Sequence, residues 1–229
     1  MSRRAELTTR LGAVRHRIAD ACAAAGRERT EVTLVAVTKT FPASDIRLLA
    51  ELGVTDIGEN RDQEAAPKAA ELAAQLAGLA DPPRVRWHFV GQLQRNKARS
   101  VVGYADVVHA VDRVRLASSL GRAVAAERPD RPLDVLVQVD LEPGEPDPER
   151  GGAAPDDLAE LAAAVADTDG LRLRGLMAVA PLDADPEPAF TRLAALAAEM
   201  RATHPDARWI SAGMSGDLEA AIRHGATHV

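Results

Sequence analysis

Lys39 closes an apolar run, Val32 to Lys39, in a chain of 229 residues with three lysines and 25 arginines. Arginine serves wherever a plain positive charge is enough, whereas a lysine can also lose its proton and attack a carbonyl as a free amine. At the end of a buried strand such a lysine is expected to be partly desolvated, which favours the neutral nucleophile. The chemistry suggested is a Schiff base. The plain alternative is a strand-end lysine whose ammonium reaches water. A second feature lies near the end of the sequence, where Ser211-Ala212-Gly213-Met214-Ser215-Gly216-Asp217 precedes a helical stretch, Leu218 to His224. A small-residue turn opening a helix offers backbone N–H groups to a phosphate, and Ser215 adds a hydroxyl. Read alone, Ser215 or Asp217 is as readily a helix cap. Together, an amine and a phosphate seat point to pyridoxal 5'-phosphate (PLP), which carries an aldehyde and a phosphate.

Other residues carry weaker signals. His88 follows Trp87 in an apolar strand and reads equally as a hydrogen-bonded core histidine or a cofactor contact. Met177 reads as packing. Asn96-Lys97 suggests capping or anion binding, too far along the chain to compete with Lys39. Lys68, among Glu64 and Glu71, reads as part of a solvated helix face paired with Glu64. The histidines show no metal-binding spacing and Cys22 stands alone, so no metal site is expected.

The elements that must position these residues follow from periodicity. Leu7, Leu11, Val14, Ile18, Cys22 and Ala25 form one face of an amphipathic helix ended by Gly26, so residues 1–27 are expected to pack as an added helix. Strands are predicted at Val32–Lys39, Val54–Ile57, Val85–Val90, Val107–Val111, Val135–Asp140, Leu171–Val179 and Arg208–Ser211. Each is followed by a helical stretch, and Thr227-His228-Val229 resembles the start of an eighth strand. Alternation of this kind demands a parallel sheet. The runner-up, an open doubly wound sheet, should carry a glycine-rich turn after its first strand, and Thr38 to Pro42 has no glycine. The expectation is a single (β/α)8 barrel over residues 1–229, with its site at the C-terminal strand ends. Those ends hold Lys39, Gly58-Glu59-Asn60, His88 to Gln92, Asp140, Met177 to Pro181 and Gly213 to Gly216. The acidic, proline-rich loop Glu142 to Asp157 emerges on the same side and reads as solvated surface.

A net charge of −6 and the lack of a dense basic run argue against nucleic-acid binding. A single cysteine asks for no oxidising compartment. Neither a signal peptide nor a membrane span is evident, and the cytoplasm is the expected location.

Five segments, in order, resemble the YggS/PROSC family of pyridoxal-phosphate homeostasis proteins: Val35 to Thr40, Gly58-Glu59-Asn60, Trp87 to Lys97, Arg174 to Ala178, and Gly213 to Asp217. The resemblance implies a barrel like the cofactor domain of alanine racemase, Lys39 as the Schiff-base lysine, Asn60 beside the ring, and Ser215 at the phosphate. Met214 and Gly216 follow as neighbours whose backbone would touch that phosphate. Family members usually continue past a segment such as Thr227-His228-Val229 with an arginine, a branched residue and glycine. On that comparison the final strand and helix are expected to be incomplete here, and cofactor binding weaker. Arg150 stands where relatives commonly carry a lysine, which concentrates the amine assignment on Lys39. The function implied is a carrier that holds PLP for intracellular homeostasis without turnover, a monomer, with apo PLP-dependent enzymes as its partners. The alternative is a PLP-dependent racemase on the same barrel. Racemisation needs acid–base groups on both faces of the substrate carbon, and the sole tyrosine, Tyr104, lies between the third and fourth strands. A third reading is a phosphate-binding metabolic barrel without PLP.

Overall fold

The computed structural model describes residues 2–142, 151–182 and 184–229. Seven strands form one sheet in sequence order: β1 (Val35–Val37), β2 (Asp56–Glu59), β3 (Arg86–Phe89), β4 (Val107–Val111), β5 (Leu133–Gln138), β6 (Leu171–Met177) and β7 (Trp209–Ser211). All neighbouring pairs are parallel. Each strand is followed by a helix: α2 (Ala43–Glu51), α3 (Asp62–Leu76), α4 (Ala98–Tyr104), α5 (Val114–Glu127), α6 (Leu158–Ala166), α7 (Pro186–Thr203) and α8 (Leu218–Arg223). The two sheet edges are joined by the last residues. His228 bridges both Ser211 and Thr33, and Val35 N–H donates to Val229 O at 2.8 Å. The architecture is the expected single α/β barrel, and every predicted strand is present, several of them shorter. Residues 143–150 of the acidic loop, with Arg150 among them, lie outside the described residues.

The leading helix, α1 (Arg3–Ala24), is capped by the Ser2 side chain, which accepts from Ala5 N–H, and Gly26 follows its end at φ 66°. Its buried residues pack in two groups: Ile18, Ala21 and Cys22 with Val32, Leu218 and Ile222, and Leu11 with Ile46, Val54 and Ile57. Arg17 forms a bidentate pair with Glu219 and also donates to Ser215 O at 3.0 Å, so α1 braces the turn after β7.

Between sheet and helices lies a continuous apolar layer that includes Val108, Val135, Val137, Leu173 and Phe190. Alternate strand residues point the other way, into the barrel. Val107, Ala110, Leu136 and Met177 form a small cluster there with Trp209 against it, as expected of a packing methionine. The rest of the interior is polar. Asp56, His88, His109, Asp134 and His228 are all buried. His88 Nε2 lies 2.9 Å from Asp56 Oδ1, His88 Nδ1 lies 2.8 Å from His109 Nε2, and His109 Nδ1 lies 2.9 Å from Ser211 Oγ. For neutral rings one assignment satisfies the whole chain: Ser211 O–H donates to His109, His109 to His88, and His88 to the Asp56 carboxylate. Burial raises the Asp56 pKa, but hydrogen bonds from His88 and Thr55 and the nearby Arg86 outweigh it and leave the carboxyl below its ordinary value. Burial, with His88 close by, pushes His109 well below the ordinary histidine value and His228 down to about 3.

Candidate functional site

The C-terminal ends of β1 and β7 face each other across a cleft of about 520 Å³. Lys39 lines it from the β1 side; Gly213, Met214 and Ser215 line it from the β7 side; α1 contributes Arg10, Val14 and Arg17. The sheet order makes this meeting possible, since the first and last strands become neighbours when the barrel closes.

Lys39 lies two residues beyond the end of β1 and is exposed, so the partial desolvation expected of it is not found. The chain turns away from the sheet before Lys39, in a β-turn closed by Phe41 N–H donating to Thr38 O at 3.0 Å. That lifts the residue onto the rim. Among the described residues Lys39 has no ion pair, while the other two lysines are committed. Lys97 Nζ is 3.8 Å from Asp62, and Lys68 Nζ is 2.8 Å from Glu59.

Lys68 does not sit on a solvated face. Its side chain is only 13% exposed, and Nζ donates to Glu59 Oε1 and, at 3.0 Å, to Thr38 O. The pair expected with Glu64 exists but is longer, at 3.9 Å. Glu59 is fully buried and also accepts from Thr38 Oγ1 at 2.7 Å. A lysine desolvated by packing takes the buried carboxylate within reach before an exposed one.

The turn after β7 holds Gly213 at φ +94°, where a Cβ would come within 2.7 Å of Ala221 Cβ. The close approach folds Gly213 to Ser215 toward the cleft. Asp217 precedes α8 but its side chain caps none of the helix N–H groups; its Oδ1 accepts instead from Met214 N–H at 2.5 Å, which commits the Met214 N–H within the turn. The N–H groups of Ser215 and Gly216 have no hydrogen-bond partner among the described residues. With six residues α8 supplies little dipole, so any anion here is met by those N–H groups and the Ser215 hydroxyl.

Asn60 is not in this cleft. It lines a separate cavity of about 470 Å³ with Gln92 and Lys97, and its Oδ1 is buried without a hydrogen-bond partner. The backbone just beyond β3 presses against it, for a Cβ on Gly91 would stand 2.1 Å from Asn60 O. His88 is a core residue inside the barrel. Tyr104 packs edge-on against Trp87 at 6.2 Å, and burial with the carboxylates of Asp62 and Glu59 nearby pushes its hydroxyl pKa well up. The Glu59–Lys68–Thr38 cluster was not anticipated. Its one sequence signal is an acid inside an apolar strand, Ile57-Gly58-Glu59, and nothing local marks Lys68 as its partner.

The barrel, with its candidate site at the β1 and β7 ends, defines a class, and residues 9–229 match the family model for the alanine racemase N-terminal domain. The chain belongs to that family. Within it, the chain is 45% identical over 236 residues to the pyridoxal phosphate homeostasis protein of Mycobacterium tuberculosis H37Rv, covering 99% of this chain and 90% of that one. A crystal structure of a protein of unknown function from Bifidobacterium adolescentis superposes with a TM-score of 0.90 at 33% identity, covering 99% of this chain and 93% of the other. PipY of Synechococcus elongatus PCC7942, solved with PLP bound, superposes with a TM-score of 0.75 at 33% identity over 92% of this chain and 95% of PipY. Among the described residues no helix is long and apolar enough to cross a membrane, and no cluster of side chains suits a metal ion.

Proposed function

We propose that this protein binds PLP and holds it for cellular PLP homeostasis, with Lys39 forming the Schiff base. The observation that carries the proposal is the commitment of the other lysines: Lys39 is the one without an ion pair among the described residues, and it shares a cleft with Ser215. The residues present fit the cofactor. Two free N–H groups and a hydroxyl at Ser215 and Gly216 suit a phosphate, with Met214 shaping the turn through its neighbours. Asn60, implied beside the ring by the resemblance, lines a different cavity from Lys39 and Ser215, so the fit rests on the Lys39 cleft alone. Bound there, PLP supplies an electrophilic aldehyde carbon, and this chain supplies an accessible amine and a fixed anion seat.

A carrier without turnover is favoured over a racemase because Tyr104 is packed against Trp87 and does not line the Lys39 cleft. The reading is completed by a cytoplasmic monomer that passes PLP to apo enzymes.

The test is an absorbance titration with PLP followed by borohydride reduction and peptide mapping, with Lys39→Ala in parallel. The expected result is a chromophore trapped on Lys39 and absent from the variant. Because Lys39 is exposed, the substitution should change stability by no more than about 0.5 kcal/mol, so the comparison is between folded proteins. Trapping on Lys68 or Lys97 instead would overturn the assignment. Sustained racemisation of an amino acid by the loaded protein would overturn the carrier reading.

A further inference from the structure

We propose that Lys68 and Glu59, neither of which lines the Lys39 cleft, are positioning residues that set the reactivity of Lys39 through the turn Thr38–Phe41. The inference rests on the reading of Lys39 as the PLP-bearing lysine.

In that turn Lys39 and Thr40 occupy the two central positions, and Thr40 has φ 68°. A positive φ at the second central position is the mark of a type II turn, which ordinarily takes glycine there. Thr40 is the only non-glycine residue with a positive φ among the described residues. A β-branched residue does not hold this conformation unless its surroundings impose it.

The surroundings come from β2 and α3. Thr38 Oγ1 donates to Glu59 Oε1 at 2.7 Å, and Lys68 Nζ donates both to that same oxygen at 2.8 Å and to Thr38 O at 3.0 Å. On the far side of Lys39, Thr40 N–H donates to Glu64 Oε2 at 3.1 Å, and Glu64 Oε2 lies 3.9 Å from Lys68 Nζ. One ammonium therefore ties together the carboxylates that grip the residues before and after Lys39. The Lys39 backbone is fixed at both ends while its side chain faces the cleft. An amine that must meet an aldehyde carbon along a defined line loses rate steeply when its support shifts. The charge on Lys68 serves the clamp and is not offered to the cofactor.

The test compares wild type with Glu59→Gln/Lys68→Met, which removes both buried charges together so that neither is left unpaired. Each protein is checked for its fold by circular dichroism and thermal unfolding. The rate of borohydride-trapped PLP attachment at Lys39 is then read by peptide mapping, and amide exchange at Thr40 is read separately. The expected result is a trapping rate at least about tenfold lower, with faster exchange at Thr40, in a folded double variant. Adding Thr40→Gly should recover most of the rate, since glycine takes the left-handed position without the clamp. A general loss of structure would not be repaired by one glycine in a rim turn. An unchanged rate in the folded double variant overturns the proposal, as does a lowered rate that Thr40→Gly leaves untouched. PLP trapped on Lys68 in wild type overturns it as well. No trapping on Lys39 in wild type is a different failure, that of the PLP reading itself.

Discussion

Replacing His109 with leucine should expose the energetics of the polar barrel interior. His109 is fully buried and makes two hydrogen bonds, to His88 Nδ1 at 2.8 Å and Ser211 Oγ at 2.9 Å. Leucine leaves His88 Nδ1 facing hydrocarbon, and an unsatisfied buried acceptor costs about 1–3 kcal/mol. Ser211 is only half-buried and can turn to water, so its loss is nearer a net hydrogen bond, about 1 kcal/mol. Burying the more apolar side chain offsets about 1 kcal/mol of this. The net expectation is a loss of about 2 kcal/mol, or a fall in Tm of about 4–8 °C for a chain of this length. Urea unfolding monitored by circular dichroism measures it, with an unchanged m-value showing that only stability has moved. His88→Leu in the same background removes the very group that was orphaned. The double variant should therefore lose less than the sum of the singles, by about 1–2 kcal/mol. A loss below about 0.5 kcal/mol for His109→Leu, with additivity in the double variant, would refute the linked chain from Asp56 to Ser211.

His109 and His228 are held neutral in the fold, the latter down to about 3, while the unfolded chain takes its histidine protons near the ordinary value of 6.5. The unfolded state thus binds more protons below pH 6.5, and stability should fall as the pH is lowered, approaching about 1.4 kcal/mol per pH unit for each histidine. Urea midpoints between pH 7 and 5 test this; a flat profile in wild type, or an equally steep one in His109→Leu, would count against it. Gly91→Ala should cost about 1–3 kcal/mol, because a Cβ 2.1 Å from Asn60 O forces the segment after β3 and the Asn60 backbone apart. Weaker PLP binding in that variant would tie Asn60 to the cofactor, and unchanged affinity with lowered stability would separate them.

The fold was legible because it is written in two periods, the 3.6-residue face of Leu7, Leu11, Ile18 and Cys22 and the short β-branched runs of the seven strands. The absence of glycine from Thr38 to Pro42 was enough to prefer a closed barrel over an open sheet. The β1 and β7 sides of the site were legible for the same reason, since a barrel brings its strand ends together wherever they lie in sequence. Three things were not. The depth of Lys39 depends on a turn whose left-handed residue is a threonine, which no propensity rule would place there. The partner of Lys68 lies on another element, so a helix-spacing argument found Glu64 and missed Glu59. The inward polar chain alternates with apolar residues on β2, β3 and β4, and a count of strand hydrophobicity averages Asp56, His88 and His109 away.

The seam between α1 and α8 has a consequence for the order in which the molecule is made. Arg17 meets Glu219 across 202 positions of sequence, and Arg27 donates to Ile222 O and Ala226 O across 195 and 199. Most strand pairs can join as synthesis proceeds, because each neighbours the next. Ile18, Ala21 and Cys22 of α1 pack with Leu218 and Ile222 as well as with the nearby Val32, while Leu11 packs with Ile46 and Val54. The Ile18–Cys22 part of that face therefore stays incompletely covered until the six intervening β/α units have been made and α8 can dock, a period in which exposed apolar surface invites association with other chains. Cys22, the single thiol, is buried in this seam. Its protection from a thiol reagent marks the moment at which α1 and α8 have met.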